Sequence, residues 1–179
     1  MLTEADAHQV SAEVVTAAGE DSEAAADRDN LRSPETYVGF DRAERFVSPS
    51  SAVPDRQQHY VIPDQVALNH WALSGDWNIG GEAAVAPQAN GKIVSRFHAR
   101  DLHLVMRPSP SDSAVRIPVT LDGKPPGSAH GTDVESDGNG TVNRAEMYQL
   151  IRQLPPIRDE EIEIEFLDPG VKICAFTFG

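Results

Sequence analysis

A period-two alternation of apolar and polar residues is the feature that most constrains the fold of this chain. Successive side chains of a β-strand point to opposite faces of a sheet, so alternation predicts a strand with one buried face. Gly, Pro, Asp and Asn separate the alternating runs, and no convincing helical pattern lies between them. The sequence therefore predicts an all-β fold, an antiparallel jelly-roll β-sandwich. The runs are 92–99, 102–107, 115–122, 161–166 and 171–178.

The connections between these runs follow from shorter signals. Residues 99–101 form a gap that is short enough for a β-hairpin, which would pair the two runs on either side of it. Residues 55–86 predict two strands around a turn at 74–76. Residues 147–154 fit a strand or one helical turn equally well.

Composition limits the classes of protein and partner. The chain has 179 residues, 28 acidic and 15 basic, with a net charge of −13 at neutral pH. Such a charge argues against a DNA or RNA partner, because binding phosphates needs a basic surface. No apolar run approaches the roughly 18 residues of a membrane helix, so we expect no membrane insertion by this chain. The single cysteine excludes an internal disulfide and a Cys-x-x-Cys redox pair.

Residues 1–32 differ in amino-acid composition from the rest of the chain. They hold eight acidic and two basic residues, and they contain no aromatic residue. A segment of this kind buries too little apolar surface to offset the entropy of ordering it. We therefore predict a disordered acidic tail over residues 1–32 and a β-sandwich domain over residues 33–179.

A basic stripe on one sheet face is the first candidate for a binding site. It supports two interpretations. In the first, Glu161, Glu163 and Glu165 lie alongside and neutralise it across strands, which stabilises the sheet. In the second, the stripe forms a groove that donates hydrogen bonds to a polyol or an acidic sugar. The residues that the predicted hairpin and the next strand would bring together are Arg96, His98, His103, Arg107 and Arg116.

The aromatic residues and the thiol also allow more than one role. Trp71, Trp77 and Tyr148 would act as stacking platforms for sugar rings if exposed, and as core residues if buried. Cys174 shares a predicted strand face with Phe176. We therefore predict that Cys174 is a buried packing residue.

The loop at 131–140 resembles the first half of an EF-hand. Oxygen-bearing side chains alternate along it and glycines follow, as a calcium loop requires. The second half fails, because Arg144 stands where the bidentate Glu belongs. The loop is therefore either solvated or a calcium site of another geometry, and calcium is the only cofactor that the sequence suggests. Its candidate ligands are Asp133, Glu135, Asp137 and Asn139.

Catalytic motifs do not stand out in the sequence. It contains no Gly-x-Ser-x-Gly elbow and no phosphate-binding loop. His98 and His103 are five residues apart, which matches neither a His-x-His metal motif nor an i, i+4 pair on a zinc helix. We therefore expect no catalysis by this chain alone.

Several stretches together resemble a known family. The resemblance is to the C-terminal domain of DipZ-type proteins, membrane-bound thioredoxin-family members linked to cytochrome c biogenesis, and it spans about residues 33–179. It implies a jelly-roll β-sandwich similar to carbohydrate-binding modules, located outside the cytoplasmic membrane. The stretches are SPETYVGF at 33–40, RAERF at 42–46, LNHWALSGDW at 68–77, FHARDLHLV at 97–105, TLDGKPPG at 120–127, and FLDPGV at 166–171 with FTFG at 176–179.

Two functional hypotheses follow from the residues and the resemblance. The first is a non-catalytic, carbohydrate-binding-like module that serves a thioredoxin-like thiol-disulfide system of the cell envelope. The second is an interaction or spacer domain that docks on a thioredoxin-like partner through Glu161, Glu163 and Glu165 and binds no small molecule. Residues 1–6 lack the basic and apolar regions of a signal peptide, so a cytoplasmic location stays open beside the envelope.

Overall fold

The fold is all-β, as predicted. A computed structural model describes residues 25–109 and 113–179. Within these residues there is no α-helix, only a short 3-10 turn at Gly127–Ala129, and no helix long and apolar enough to cross a bilayer. The strands, numbered in chain order, are β1 (Thr36–Tyr37), β2 (Gln57–Tyr60), β3 (Trp71–Ile79), β4 (Ala84–Ala86), β5 (Gly91–Phe97), β6 (Asp101–Pro108), β7 (Val115–Leu121), β8 (Asn139–Val142), β9 (Glu146–Arg152), β10 (Glu160–Phe166) and β11 (Val171–Phe178).

The strands form one curled, antiparallel path that folds into two layers. Its order is β8-β7-β10-β5-β3-β4-β11-β6-β9, while β1 pairs with β11 and β2 pairs with β3. Strand β3 belongs to both layers: residues 71–74 pair with β5, and residues 75–79 pair with β2 and β4. We call the layer that contains β5, β7 and β10 the first layer. The layer that contains β2, β4, β6, β9 and β11 is the second layer.

A single hydrophobic cluster fills the space between the layers. Inward side chains of both layers belong to it, for example Ile164 of β10, Met106 of β6 and Ile173 of β11. The predicted alternation of buried and outward-facing residues is confirmed on β10. Ile162, Ile164 and Phe166 are fully buried, whereas the three glutamates between and before them are half-buried. Sequence alternation therefore identifies the core face of these strands.

The predicted hairpin at residues 99–101 is wrong. Strand β5 pairs with β3 and β10 in the first layer, whereas β6 pairs with β9 and β11 in the second. The short connection carries the chain from one layer to the other over the end of the core, where Ala99 is buried. Consequently the basic residues on either side of this connection do not lie on one sheet face.

The last eight residues of the predicted tail, 25–32, are described by the structure and contact the domain. Residues 1–24 of the predicted tail lie outside the described residues. Residues 25–32, in contrast, contact the domain: the Arg32 backbone N–H donates to the His98 carbonyl at 2.9 Å, and Arg100 Nη2 donates to the Ala25 carbonyl at 2.8 Å. Leu31 packs against the core. This part of the predicted tail is therefore attached to the sandwich.

Candidate functional site

Arg96 belongs to a ladder of cross-strand ion pairs on the outer face of the first layer. Its Nη2 lies 3.4 Å from Glu161 Oε1, and its Nε donates to the Val66 carbonyl at 2.8 Å. Lys92 lies 3.5 Å from Glu163 on the same two strands. The sheet-stabilising interpretation is confirmed for this pair of strands. Because β10 is paired on both sides, its glutamates do not form the free acidic edge that the docking hypothesis requires.

Arg116 is also used structurally, at the end of β7. Its Nε and Nη2 donate to the two carboxylate oxygens of Asp168 at 3.0 and 2.9 Å. These hydrogen bonds, together with one from the Arg116 backbone N–H, lower the pKa of Asp168 to about 2. The pair joins β7 to the turn that precedes β11.

The two candidate histidines lie in different environments. His98 is buried in the connection between β5 and β6, where its Nδ1 lies 2.7 Å from Asp159 Oδ1. Its Nε2 is buried without a hydrogen-bond partner among the described residues. His103 lies on the outer face of the second layer, 3.4 Å from Thr177 Oγ1. The structure therefore divides the predicted stripe: Arg96 and Arg116 lie on the outer face of the first layer, whereas His103 and Arg107 of β6 lie on the outer face of the second.

Neither tryptophan offers a surface to a sugar, which corrects the predicted stacking role. Trp71 and Trp77 are fully buried, and their indole N–H groups donate to the carbonyls of Glu44 and Ser74 at 2.8 and 2.9 Å. Tyr148 is buried as well, and its hydroxyl bonds the backbone at residues 143–144. Buried aromatic residues of this size supply core packing.

The acidic loop uses its side chains to hold its own conformation. Asp133 Oδ2 accepts from the Gln149 backbone N–H at 2.7 Å, and Asp137 accepts from the Asn139 backbone N–H at 2.9 Å. Glu135 is exposed. In residues 25–109 and 113–179, no three His, Cys, Asp or Glu side chains are grouped so that they would hold a metal ion. The calcium hypothesis therefore has the sequence pattern alone as its support.

A groove on the outer face of the second layer is the strongest candidate for a binding site. It contains a cavity of about 750 Å³. Residues that are directly opposite on neighbouring strands share a face, and here the strand register aligns one residue from each of five strands across the groove floor. From one side to the other, these are Gln57, Asn78, Val85, Lys172 and Arg107.

The walls of the groove add acceptors and one aromatic ring. Segment 39–42 bonds to the β3–β4 turn through the Phe40 and Asp41 backbone N–H groups, which donate to the carbonyls of Gly80 and Gly81. This brings the carboxylates of Asp41 and Glu82 to the cavity. A second cavity of about 400 Å³ shares these two residues and continues past Val105 to Tyr37, whose ring lies 4.4 Å from the Arg42 guanidinium.

Cys174 lies where the two cavities meet, which overturns the prediction that it is buried. Ile173 pairs with Met106 and Ala175 pairs with Val105, so Cys174 is the extra residue of a β-bulge. The bulge turns its side chain away from the core face that Ile173 and Phe176 occupy. Cys174 is consequently half-buried, and its thiol lines both parts of the groove.

The first layer ends in a smaller cavity of about 420 Å³ that contains a carboxylate pair. Burial raises the pKa of the Glu160 carboxyl, and a hydrogen bond to Asp122 raises this pKa further, while Arg158 acts in the opposite direction. Asp122 also accepts from the Glu161 backbone N–H at 2.9 Å. The pair is thus part of the connection between β7 and β10.

Most residues of the groove were not identified from the sequence. Arg107 was predicted, whereas Gln57, Asn78, Lys172 and the two wall carboxylates were not. These residues lie far apart along the chain, and only the pairing register aligns them. The one available signal was local: Asn78, Lys172 and Arg107 are each a polar residue between two apolar neighbours on their strands.

Comparisons with known proteins agree with the fold. A family model described as "Thioredoxin like C-terminal domain" matches residues 33–179. The chain is also similar to the protein named DipZ of Mycobacterium bovis and to that of Mycobacterium tuberculosis. Each is 27% identical over 93 residues, which covers 52% of this chain and 12% of the relative. The chain therefore spans a small part of the length of these curated relatives.

Proposed function

Because the chain belongs to the family of thioredoxin-like C-terminal domains over residues 33–179, we propose that it is a non-catalytic accessory module that binds a carbohydrate-like ligand. The module would serve a thioredoxin-like thiol-disulfide system of the cell envelope. The similarity to the two DipZ proteins supports this setting, since it covers half of the chain. Disulfide exchange itself would need cysteines of the partner domain, because this chain has one cysteine.

The observation that carries the proposal is the row of side chains across the groove floor. Gln57 and Asn78 each offer an amide that donates and accepts, and Lys172 and Arg107 offer further donors. No side-chain hydrogen bond or ion pair within the described residues uses Gln57, Asn78, Lys172 or Arg107. Polar groups that are lined up across a concave surface and left without internal partners are suited to a ligand rich in hydroxyl groups.

An NMR titration of the full chain tests this proposal. The probes are oligosaccharides of glucose, galactose, glucuronic acid and galacturonic acid, added up to roughly 10 mM, because affinities near 1 mM correspond to only about −4 kcal/mol. We expect shifts of the backbone amides of residues 78, 85, 107 and 172. The variant Asn78→Ala should weaken binding by several fold.

A matched control lies on the opposite layer. Glu163→Gln alters a half-buried polar residue on the outer face of the first layer and should leave sugar binding unchanged. Shifts that cluster on the outer face of the first layer would contradict the placement of the site. A spectrum that does not respond to any of the four sugar series would contradict carbohydrate binding and favour an interaction or spacer domain that binds no small molecule.

A further inference from the structure

The groove floor keeps two like charges directly opposite each other. Lys172 and Arg107 are register partners on β11 and β6. Like charges in this arrangement destabilise a sheet. The chain carries 28 acidic residues, so carboxylates to neutralise the pair are abundant in the sequence. The fold nevertheless provides none to either side chain among the described residues.

The other Lys and Arg residues in the described strands form ion pairs. The described strands contain six Lys and Arg residues, and four of them form ion pairs. The two that form no ion pair within the described residues are the two in the groove. The paired residues are Lys92 with Glu163, Arg96 with Glu161, Arg116 with Asp168, and Arg152 with Asp101. Among the Lys and Arg residues of the described strands, an ion-pair partner is therefore missing only at the groove.

We propose that Lys172 and Arg107 together bind the carboxylate of an acidic saccharide. This inference rests on the proposed function and specifies its ligand. A carboxylate between the two side chains would accept charge-assisted hydrogen bonds from the guanidinium and the ammonium group. It would also remove the repulsion between them. The ligand carboxylate thus supplies the negative charge that no ion pair within the described residues gives to Lys172 and Arg107.

The walls favour a sugar acid over a doubly charged anion. Asp41 and Glu82 line the same cavity, and neither forms an ion pair within the described residues. Their carboxylates accept hydrogen bonds from sugar hydroxyls, but they repel a second negative charge. A phosphate carries close to two charges at neutral pH and a carboxylate carries one. The arrangement of two cations on the floor and two acceptors on the wall therefore fits a polyhydroxylated monocarboxylate.

The second cavity, which continues the groove, suits the apolar face of a sugar ring. The second cavity, which adjoins the first at Cys174, is lined by Val105, Ala175 and the ring of Tyr37, with the Arg42 guanidinium against that ring. Sugars present C–H groups on one face and hydroxyls at their edge, so a ring lying along this wall would contact apolar atoms. Its hydroxyls would then face Asp41 and Glu82. We expect at least two sugar units to span the two cavities.

Calorimetric titration of the full chain tests the assignment. The probes are disaccharides of galacturonic acid and glucuronic acid, the matched neutral disaccharides of galactose and glucose, and galactose 6-phosphate. At low ionic strength we expect an acidic disaccharide to bind about tenfold more tightly than its neutral counterpart, which equals about 1.4 kcal/mol. Lys172→Gln and Arg107→Gln should each remove most of this preference, because each should lower the affinity for the acidic disaccharide far more than the affinity for the neutral one.

Two controls separate a binding role from a structural one. Lys92→Gln removes a paired cation from the first layer and should leave the preference intact. Because Lys172 and Arg107 repel each other, Lys172→Gln should leave the thermal midpoint unchanged or raise it. A midpoint that falls by several degrees would show that Lys172 is structural and would overturn the assignment.

The remaining outcomes distinguish this inference from the proposed function. Equal binding of acidic and neutral disaccharides would overturn the role of the charge pair and support the sugar-binding module. Tighter binding of the sugar phosphate than of either uronate would overturn the carboxylate as the recognised group. Binding of none of the probes would contradict the proposed function itself, and with it this inference.

Discussion

At the scale of single residues, Cys174 shows how one extra residue in a strand changes the face on which a side chain lies. Alternation from Phe176 back along β11 predicts a core position for the thiol, but the bulge shifts the register between Ile173 and Ala175 and places Cys174 on the other face. The side chain thereby moves from the core to the junction of two cavities. Bulges commonly redirect a side chain in this way next to functional sites.

Because Cys174 is accessible in the folded state, we expect it to react with an aromatic disulfide reagent without prior unfolding. The rate should not change when urea is added well below the unfolding transition, and Cys174→Ser should abolish the reaction. A ligand that occupies the groove should slow it. A rate that follows the population of unfolded protein as urea rises would instead show that the thiol is protected by the fold.

Glu160 gives a pH dependence whose sign follows from its surroundings. Its pKa is raised in the folded state, mainly by burial, so the folded protein holds this proton more tightly than the unfolded chain does. The associated stability is fully present below the pKa of an unfolded Glu, near 4.3, and is lost as pH rises through the folded-state pKa. Above that range the charged carboxylate destabilises the folded state.

We therefore expect Glu160→Gln to raise the urea midpoint at pH 8, with the advantage shrinking to nothing at pH 4. Glu163→Gln is the matched control on the same strand. Its carboxylate forms a surface ion pair with Lys92, and such pairs contribute little, so its effect should be within about 0.5 kcal/mol at both pH values. A loss of stability for Glu160→Gln at pH 8 would mean that the contact with Arg158 outweighs burial.

At the scale of elements, strand segments were predictable and strand partners were not. Alternation is a local property, and it locates residues 115–121 and 171–178 correctly. Pairing is set by the whole layer arrangement. Residues 74–76 predicted a turn, yet β3 runs through them, because Gly75 adopts a φ of +89° where the strand passes from one layer to the other. Glycine alone takes such a conformation without strain, in a bend as in a turn.

The binding groove was unpredictable for the same physical reason. Its floor requires the register of four strand pairs, and an error of one residue in any of them turns a side chain to the other face. Arg107 was selected because it is basic and belongs to the predicted stripe, but its partner Lys172 is 65 positions away in the sequence. The burial of Trp71 and Trp77 likewise depends on which layer covers them. Local patterns carry no information on either point.

The groove wall depends on a close backbone approach at Gly39. A Cβ at this position would overlap the backbone of Gly81 and Glu82. We therefore expect Gly39→Ala to lower stability by about 1–3 kcal/mol, the usual cost of overpacking, and to displace Glu82 from the groove. Gly80→Ala is the control in the same wall, because its Cβ would make only ordinary contacts, the nearest at 3.4 Å. Equal thermal midpoints for the two variants would contradict this account.

At the scale of the whole molecule, the two layers use charge for different purposes. The outer face of the first layer carries cross-strand ion pairs between β5 and β10, which neutralise each other. The outer face of the second layer carries the groove, whose cations and carboxylates remain unpaired among the described residues. One core serves both layers, so the first stabilises the domain while the second leaves its polar groups to a ligand.

The residue at which the folded domain begins is a property of the whole molecule that can be tested. Composition placed it at residue 33, but residues 25–32 close the end of the sandwich where β5 passes to β6. Deleting them removes the Arg32–His98 backbone bond, the bond from Asn69 to the Arg32 carbonyl, and the packing of Leu31. A hydrogen bond contributes about 1 kcal/mol net and burial of part of a leucine adds a comparable amount.

We therefore expect a chain that starts at Ser33 to be less stable than one that starts at Ala25 by about 1–3 kcal/mol. For a domain of this size that corresponds to a thermal midpoint lower by roughly 2–4 °C per kcal/mol. Leu31→Ala in the full chain isolates the packing contribution and should account for part of the loss. Because the His98 carbonyl then lacks its donor, amide exchange should accelerate at residues 98–101 in the shorter chain. Identical midpoints for the two chains would place the boundary at residue 33, where the composition changes.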